Sequence, residues 1–201
     1  RAMVEEFLCE VRLSPGRSLL LTAYTNRAVD EICQMLDTLV PAVDYVRIGV
    51  EQTCALAYRP HLLSQWAARF TRSEEVTQAL RLVPVVVGTV ATMSGHQELL
   101  AFKRFDAVII DEASQILEPQ LLPLLAASAD GQPLIGKFIM IGDHKQLPAV
   151  VMQSERDTRV TDEHLLRVGL TDLGNSLFER LYGLYRRAGR SDCYGWVCRQ
   201  G

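Results

Sequence analysis

The stretch Phe105–Pro119, FDAVIIDEASQILEP, joins an apolar run to two adjacent carboxylates and then to small and polar residues. The apolar residues Ala107–Ile110 have the composition of a buried strand, and Asp111 and Glu112 follow at its end. Two neighbouring carboxylates in this position are expected to face a cation, although plain solvation of a strand end gives the same pattern. This stretch is therefore the first candidate for both the fold and the site.

Short apolar runs alternate with helical patterns along the whole chain. The runs predicted to be strands are Ser18–Tyr24, Asp44–Gly49, Val83–Thr89, Phe105–Asp111 and Lys137–Asp143. The last three are nearly continuous in apolar residues, which predicts parallel strands buried on both faces. Between the runs, apolar residues recur at helical spacing over Val29–Leu39 and again after Pro119. The alternation predicts an α/β fold with a doubly wound, mainly parallel sheet, whose ligands bind beyond the carboxyl ends of the strands.

The composition is that of one ordinary domain. The chain has 201 residues, 48% of them hydrophobic, and a net charge of −3, so any binding of nucleic acid has to be local and not driven by overall charge. No run reaches the roughly 18 consecutive apolar residues of a membrane span. The five scattered cysteines predict reduced thiols, mostly in the core, and a cytoplasmic location, or a nuclear one in a eukaryote.

A second apolar run is also followed by polar residues. The apolar run Phe138–Ile141 ends in Gly142 and Asp143, and the polar residues His144, Lys145 and Gln146 follow. If this run lies beside the first one in the sheet, Gln146 would stand near a terminal phosphate bound at the same edge.

These motifs resemble those of superfamily 1B helicases, the group that includes the nonsense-mediated-decay RNA helicase and the replication nuclease-helicase. VIIDEASQ at 108–115 and GDHKQLPAVV at 142–151 resemble the family's motifs II and III. LLLTAYTNRAVDEI at 19–32 resembles motif Ia, VVVGTVATM at 85–93 resembles the strand with the threonine contact to the nucleic-acid backbone, and NSLFERL at 175–181 resembles the helix after motif III. The motifs occur in the family's order, and Glu51–Leu82 is unmatched.

The resemblance implies a role for each matching residue in the hydrolysis of ATP. Asp111 matches the Mg²⁺ ligand, and Glu112 matches the residue that activates the attacking water. Gln146 matches the sensor of the γ-phosphate, and Asp143 belongs to the same coupling motif.

The resemblance also implies a nucleic-acid contact. Thr25, Asn26 and Thr89 match positions that touch backbone phosphates, which hydroxyl and amide groups hold without reading bases. The alternative for Thr25 and Asn26 is an ordinary helix N-cap, which does not exclude a phosphate contact.

One departure from the family concerns the phosphate loop. Gly131–Phe138, GQPLIGKF, has the spacing of G-x-x-x-x-G-K-[ST], but Phe138 replaces the Mg²⁺-binding hydroxyl and the segment precedes a strand instead of opening a helix. We therefore expect a loop between elements there. The resemblance places the true phosphate loop upstream of this chain and a second motor domain beyond it. Residues 1–201 are thus expected to form one partial RecA-like motor domain, with Glu51–Leu82 as an inserted helical subdomain or a crossover.

The function implied is that of an ATP-dependent helicase or translocase that uses Mg²⁺ and ATP. Its expected partners are single-stranded nucleic acid, DNA in preference to RNA, and the second motor domain of the same parent chain, with no membrane. The direction usual in the group is 5′ to 3′, and the isolated chain is expected to be inactive. Two alternatives are a nucleotide-dependent protein switch or scaffold with the same fold, and a degenerate, non-enzymatic domain.

Overall fold

The computed structural model describes Val4, Glu5, Leu8 and residues 16–143 and 149–189. The strands are β1 Leu19–Ala23, β2 Tyr45–Arg47, β3 Val85–Thr89, β4 Ala107–Ile110, β5 Ser128–Ala129, β6 Gln132–Pro133 and β7 Phe138–Met140. The α-helices are α1 Asn26–Asp37, α2 Leu63–Ala67, α3 Ser73–Leu82, α4 Val90–Gly95, α5 Gln97–Phe102, α6 Glu118–Leu125, α7 Glu155–Thr158, α8 Glu163–Arg167 and α9 Leu177–Arg187. Short 3₁₀ helices occupy Glu51–Thr53, Leu56–His61 and Ala113–Gln115.

The main sheet has five strands in the order β2-β3-β1-β4-β7. Strand β1 pairs in parallel with β3 and with β4, and β2 pairs in parallel with β3. The chain leaves β1 towards β2 and later crosses back to β4 on the other side of β1. Crossovers in opposite directions are those of a doubly wound sheet, so the predicted α/β architecture and all five predicted strands of the sheet are confirmed.

Burial follows the position of each strand in the sheet. Every residue of β1, β3 and β4 is buried, as expected for strands with a neighbour on both sides. Strand β7 is only half-buried along its length, so the prediction that Lys137–Asp143 is buried on both faces was wrong. Because β7 ends the order of the described sheet, it has one strand neighbour and keeps solvent on its open side.

The residues cluster into two compact units. The first comprises Arg1–Ile110 and Pro123–Ile139, and the second comprises Asp111–Leu122 and Met140–Gly201. Among the described helices, none has the length and apolar character needed to cross a membrane.

In the first unit, helix α1 is fixed to the sheet by its apolar face and by a buried ion pair. Val29, Cys33 and Leu36 are buried, and Asp30 accepts a hydrogen bond from Arg47 on β2, whose side chain is almost fully enclosed. Burial raises the pKa of the Cys33 thiol to about 12, which makes it a core residue and not a nucleophile. Cys33 and Cys54 are both free thiols, as predicted for the interior.

The segment Glu51–Leu82 connects β2 to β3 within the first unit. The rings of Trp66 and Phe70 pack against each other there, with their centroids 5.0 Å apart. Helix α3 ends against the buried Lys103, whose Nζ donates to the carbonyl oxygens of Arg81 and Val83, each at 2.6 Å. Burial lowers the pKa of Lys103 to about 8.

The segment Gly131–Phe138 runs into a strand and not into a helix. It contributes β6, which pairs antiparallel with β5, and then leads into β7. A phosphate loop has to open a helix, so this segment does not have the position of one. It is not wholly the loop between elements that we expected, because Gln132–Pro133 form β6.

In the second unit, helix α9 begins at a capping box. The Ser176 hydroxyl accepts a hydrogen bond from the Glu179 amide, and the Glu179 carboxylate accepts one from the Ser176 amide. The helix that the resemblance of NSLFERL at 175–181 implies is thus present, with its first turn starting at Leu177. The segment 152–173, which precedes this helix, contains the two short helices α7 and α8.

Candidate functional site

The first predicted contact with nucleic acid lies directly after β1. Thr25 is exposed and caps α1, and its Oγ1 accepts a hydrogen bond of 3.1 Å from the Ala28 amide. Asn26, half-buried, is the first residue of the helix. A threonine hydroxyl has one proton and two lone pairs, so capping uses an acceptor site and leaves the proton for an outside acceptor such as a phosphate oxygen.

The second predicted contact, Thr89, is the last residue of β3 and caps α4. Its Oγ1 accepts a hydrogen bond of 3.0 Å from the Thr92 amide and lies 2.7 Å from the Thr92 hydroxyl. Thr89 is only 6% exposed, whereas Thr92 is half-buried. Since one of the two hydroxyls donates to the other, the pair retains one proton for a third group. Thr92, for which the sequence motifs predict no role, is therefore part of this position.

The sheet brings these two positions to the same edge of the first unit. Ala23 at the end of β1 pairs in register with Thr89 at the end of β3, and Thr25 follows two residues after Ala23. The carboxyl ends of parallel strands form the edge at which ligands bind in such sheets. Two hydroxyl-bearing helix caps therefore stand at the carboxyl ends of adjacent strands.

Asp111 and Glu112, the predicted catalytic carboxylates, follow β4 and belong to the second unit. Both are half-buried, and Asp111 Oδ1 accepts a hydrogen bond of 2.9 Å from the Glu112 amide. Glu112 adopts a left-handed backbone conformation, with φ 53° and ψ 34°, and its Oε2 atom is buried. A glutamate in this region is uncommon, and such conformations concentrate at functional sites.

The backbone after Glu112 is held to the segment that follows β7. The Ala113 amide donates to the Ile141 carbonyl oxygen at 2.8 Å. A Cβ placed on Gly142 would lie 2.9 Å from the Ser114 amide nitrogen, so only glycine permits this approach. Asp143, half-buried, is the next residue, while Gln146 lies outside the described residues. The structure thus brings the segment of Asp143 alongside the carboxylate pair.

The donor set around Asp111 fits a magnesium ion that is shared with a nucleotide. Within the described ranges, no group of three or more histidine, cysteine or acidic side chains could enclose a metal. Mg²⁺ is commonly bound by one or two carboxylates, water and substrate phosphates, and not by an all-protein cage. A half-buried carboxylate at a strand end is the ligand such an arrangement needs.

A buried ion pair, missed by the sequence analysis, fixes the stretch that follows the carboxylates. Arg180 on α9 donates two hydrogen bonds to the Glu118 carboxylate, from Nε to Oε2 at 2.7 Å and from Nη2 to Oε1. Its Nη1 donates a third hydrogen bond, of 2.8 Å, to the Val168 carbonyl oxygen. Glu118 is 7% exposed. The partners are 62 residues apart, and nothing in the local sequence of either one predicts the pairing.

One family model matches the middle of the chain. Residues 61–154 match the family described as AAA domain. The match covers β3, β4 and β7 together with Asp111, Glu112 and Asp143.

The particular relatives are replication helicase/nucleases. Over 141 residues, 70% of this chain, it is 35% identical to the DNA replication ATP-dependent helicase/nuclease JHS1 of Arabidopsis thaliana. It is 32% identical over 159 residues, 76% of the chain, to the DNA replication ATP-dependent helicase/nuclease DNA2 of Gallus gallus. The chain is a distant homologue of these proteins over most of its length, and the resemblance to the replication nuclease-helicase branch of superfamily 1B is confirmed.

The chain spans a small part of these relatives, 10% of JHS1 and 15% of the Gallus gallus protein. Among solved structures, the C-terminal part of the Fun30 ATPase domain aligns with a TM-score of 0.46 and 13% identity, covering 92% of this chain and 53% of that one.

Proposed function

We propose that this chain is part of the first motor domain of an ATP-dependent helicase that moves on single-stranded DNA. The observation that carries the proposal is the carboxylate pair Asp111-Glu112 at the carboxyl end of a buried parallel strand, with Glu112 in a left-handed conformation. Its support comes from the AAA match and from relatives whose names describe ATP-dependent DNA helicase/nucleases.

In this proposal the two carboxylates divide the chemistry of ATP hydrolysis. Bound Mg²⁺ would neutralise charge on the phosphate oxygens during phosphoryl transfer. Asp111 is the residue that would hold it, through a carboxylate fixed by the Glu112 amide. Glu112 would accept a proton from the attacking water, since a half-buried carboxylate can act as a general base.

We assign the coupling of hydrolysis to motion to the segment after β7. Asp143 follows Gly142, and the backbone of Gly142 lies against Ser114. Ser114 is only two residues after Glu112 in the sequence. Gln146 is proposed as the sensor of the γ-phosphate, because an amide both donates to and accepts from a phosphate oxygen or a water molecule. A change at the phosphate would then reach this segment through backbone contacts.

We assign the grip on the single strand to Thr25, Asn26 and Thr89, with Thr92 as the partner of Thr89. Thr25 presents an exposed hydroxyl, and the Thr89-Thr92 pair keeps one hydroxyl proton for a phosphate oxygen. Such contacts follow the backbone and do not read bases, which suits an enzyme that moves along a strand. The proposed direction is 5′ to 3′, and a second motor domain would close on the nucleotide.

The 201-residue chain alone is expected to show no Mg²⁺-dependent ATP turnover. The one segment with the spacing of a phosphate loop, Gly131–Phe138, leads into β7 and lacks the hydroxyl that follows the lysine. Turnover would be measured by phosphate release from the pure chain, with heat-unfolded chain as the blank. Release above that blank would show that the chain contains a complete site.

The measurement that tests the helicase function is ATP turnover by the full-length protein with and without single-stranded DNA. A translocase couples ATP hydrolysis to its movement on single-stranded DNA, so a thymidine oligonucleotide is expected to raise ATP turnover several-fold. Turnover that does not respond to the oligonucleotide would favour a nucleotide-dependent protein switch with the same fold. The absence of both turnover and nucleotide binding would favour a non-enzymatic domain.

A further inference from the structure

A cavity of about 660 Å³ opens at the carboxyl end of β2 in the first unit. Its walls are mostly apolar and come from three places: the turn after β2, helices α2 and α3 of the Glu51–Leu82 connection, and helices α4 and α5. Leu63, Val76, Leu80 and Leu99 are among the apolar residues that line it. The volume lies in the range of about 300 to 1,000 Å³ that is typical of pockets for small organic groups.

The cavity is connected to the proposed phosphate contact through Thr92. Thr92 lines the cavity, and its hydroxyl lies 2.7 Å from the Thr89 hydroxyl. A phosphate held by this pair of hydroxyls would therefore stand at the border of an apolar cavity. A nucleotide is a phosphate joined through a sugar to a flat, largely apolar ring, which matches this juxtaposition.

We propose that the cavity receives one base of the single strand whose backbone Thr89 and Thr92 hold. The inference rests on the proposed function, because it needs a strand at the carboxyl ends of β1 and β3. Proteins that hold an unstacked base enclose it between apolar or aromatic side chains and satisfy its edge with polar groups.

The polar groups that line the cavity can form hydrogen bonds with any of the bases. Thr53, Ser64 and Thr77 contribute hydroxyl groups. The Thr53 and Thr77 hydroxyls donate to the carbonyl oxygens of Val50 and Ser73, at 3.3 and 3.0 Å, so their lone pairs remain to accept from an N–H group, which the edge of every base carries. The His96 ring is exposed, and its Nδ1 lies 2.8 Å from the Thr92 carbonyl oxygen, so Nδ1 carries the proton that is donated there. A ring fixed in this way at the rim offers a flat face on which a base can stack. The cavity should therefore hold bases without strong preference, as movement along a strand requires.

The wall that α3 contributes is held by contacts within the protein. Lys103 is buried and holds the last turn of α3 through its bonds to Arg81 and Val83. The cavity is therefore formed before a base enters, which lowers the ordering cost of binding.

Gly95 allows the cavity to be filled by a single substitution. It lines the cavity, and a Cβ added there would meet no atom within 4 Å. Gly183 on α9 has equally open surroundings and does not line the cavity, so Gly183→Phe is the matched control for Gly95→Phe.

The test measures how the full-length protein binds thymidine oligonucleotides in which one abasic site is moved through the sequence. Fluorescence anisotropy should show that wild type loses about tenfold in affinity when the abasic site occupies one particular position of the bound strand. Gly95→Phe should bind the intact oligonucleotide about tenfold more weakly and should not respond to the abasic site at that position. Gly183→Phe should behave as wild type does.

Each outcome decides the inference. Equal affinity for every abasic oligonucleotide, with Gly95→Phe binding as tightly as wild type, would overturn the base site while leaving the proposed function intact. No binding of any oligonucleotide by wild type would overturn both. If Gly95→Phe unfolds, the abasic series on wild type alone gives the answer, since it needs no variant.

Discussion

At the scale of single residues, the proposed grip on the strand depends on hydroxyl groups that have two tasks. Thr25 Oγ1 already accepts the Ala28 amide as the cap of α1, and its proton is the group that would reach a phosphate. A substitution that removes the hydroxyl would remove both the cap and the contact. A substitution that still caps α1 but repels a phosphate would separate the capping role of Thr25 from its proposed contact with the strand.

Thr25→Asp in the full-length protein is such a change. Aspartate is as good an N-cap as threonine, so the free energy of unfolding should change by less than about 0.5 kcal/mol. Its negative charge would face the strand, so the affinity for single-stranded DNA should fall by roughly tenfold or more. Affinity would be measured by anisotropy and stability by urea unfolding.

The control adds the same charge elsewhere. Thr161 is an exposed threonine of the second unit with no proposed role, and Thr161→Asp should bind DNA as wild type does. Equal affinity of Thr25→Asp and wild type would remove Thr25 from the proposed interface.

At the scale of secondary-structure elements, the segment that follows the carboxylates is held by the ion pair between Glu118, at the start of α6, and Arg180 on α9. Removing one partner of a buried pair leaves the other charge enclosed and uncompensated, which costs about 3 to 5 kcal/mol. We therefore expect Glu118→Gln to lower the free energy of unfolding of the full-length protein by about 2 kcal/mol or more, measured by urea unfolding.

The chain offers an exposed pair as a control. On α8, Arg167 Nη2 lies 3.8 Å from Glu163 Oε2, and the two side chains are 73% and 84% exposed. Exposed pairs of this kind contribute about 0 to 0.5 kcal/mol to the free energy of unfolding. Arg167→Met should therefore be nearly neutral. If Glu118→Gln is equally neutral, the pair does not fix this segment.

The elements also show what the sequence could predict. The apolar runs identified β1, β2, β3, β4 and β7, because continuous apolar strands have a strong local signature. The segment Glu51–Leu82, expected to be helical or a crossover, contains the helices α2 and α3. The half-exposure of β7 was not predictable, because it depends on which strand ends the sheet and not on the composition of the run.

At the scale of the whole molecule, the candidate residues of each unit come from parts of the chain that are distant in sequence, and here prediction from sequence was weaker. The motifs pointed to Thr25, Thr89, Asp111 and Glu112, and each of them lies at the carboxyl end of a strand or within two residues after it. The left-handed conformation of Glu112 and the apolar cavity beside Thr92 have no local signature. They arise from how the chain crosses between strands and packs its connections.

The measurement that tests the central claim most directly is ATP turnover by the Glu112→Gln variant of the full-length protein, in the presence of single-stranded DNA. Glutamine keeps the size of the side chain but cannot accept a proton, so turnover should fall by about 100-fold or more while nucleotide binding stays within a few-fold of wild type. The exposed Glu74, changed to glutamine, serves as the control and should retain full turnover. Turnover by Glu112→Gln at the wild-type rate would contradict the assignment of the carboxylate pair as the catalytic site.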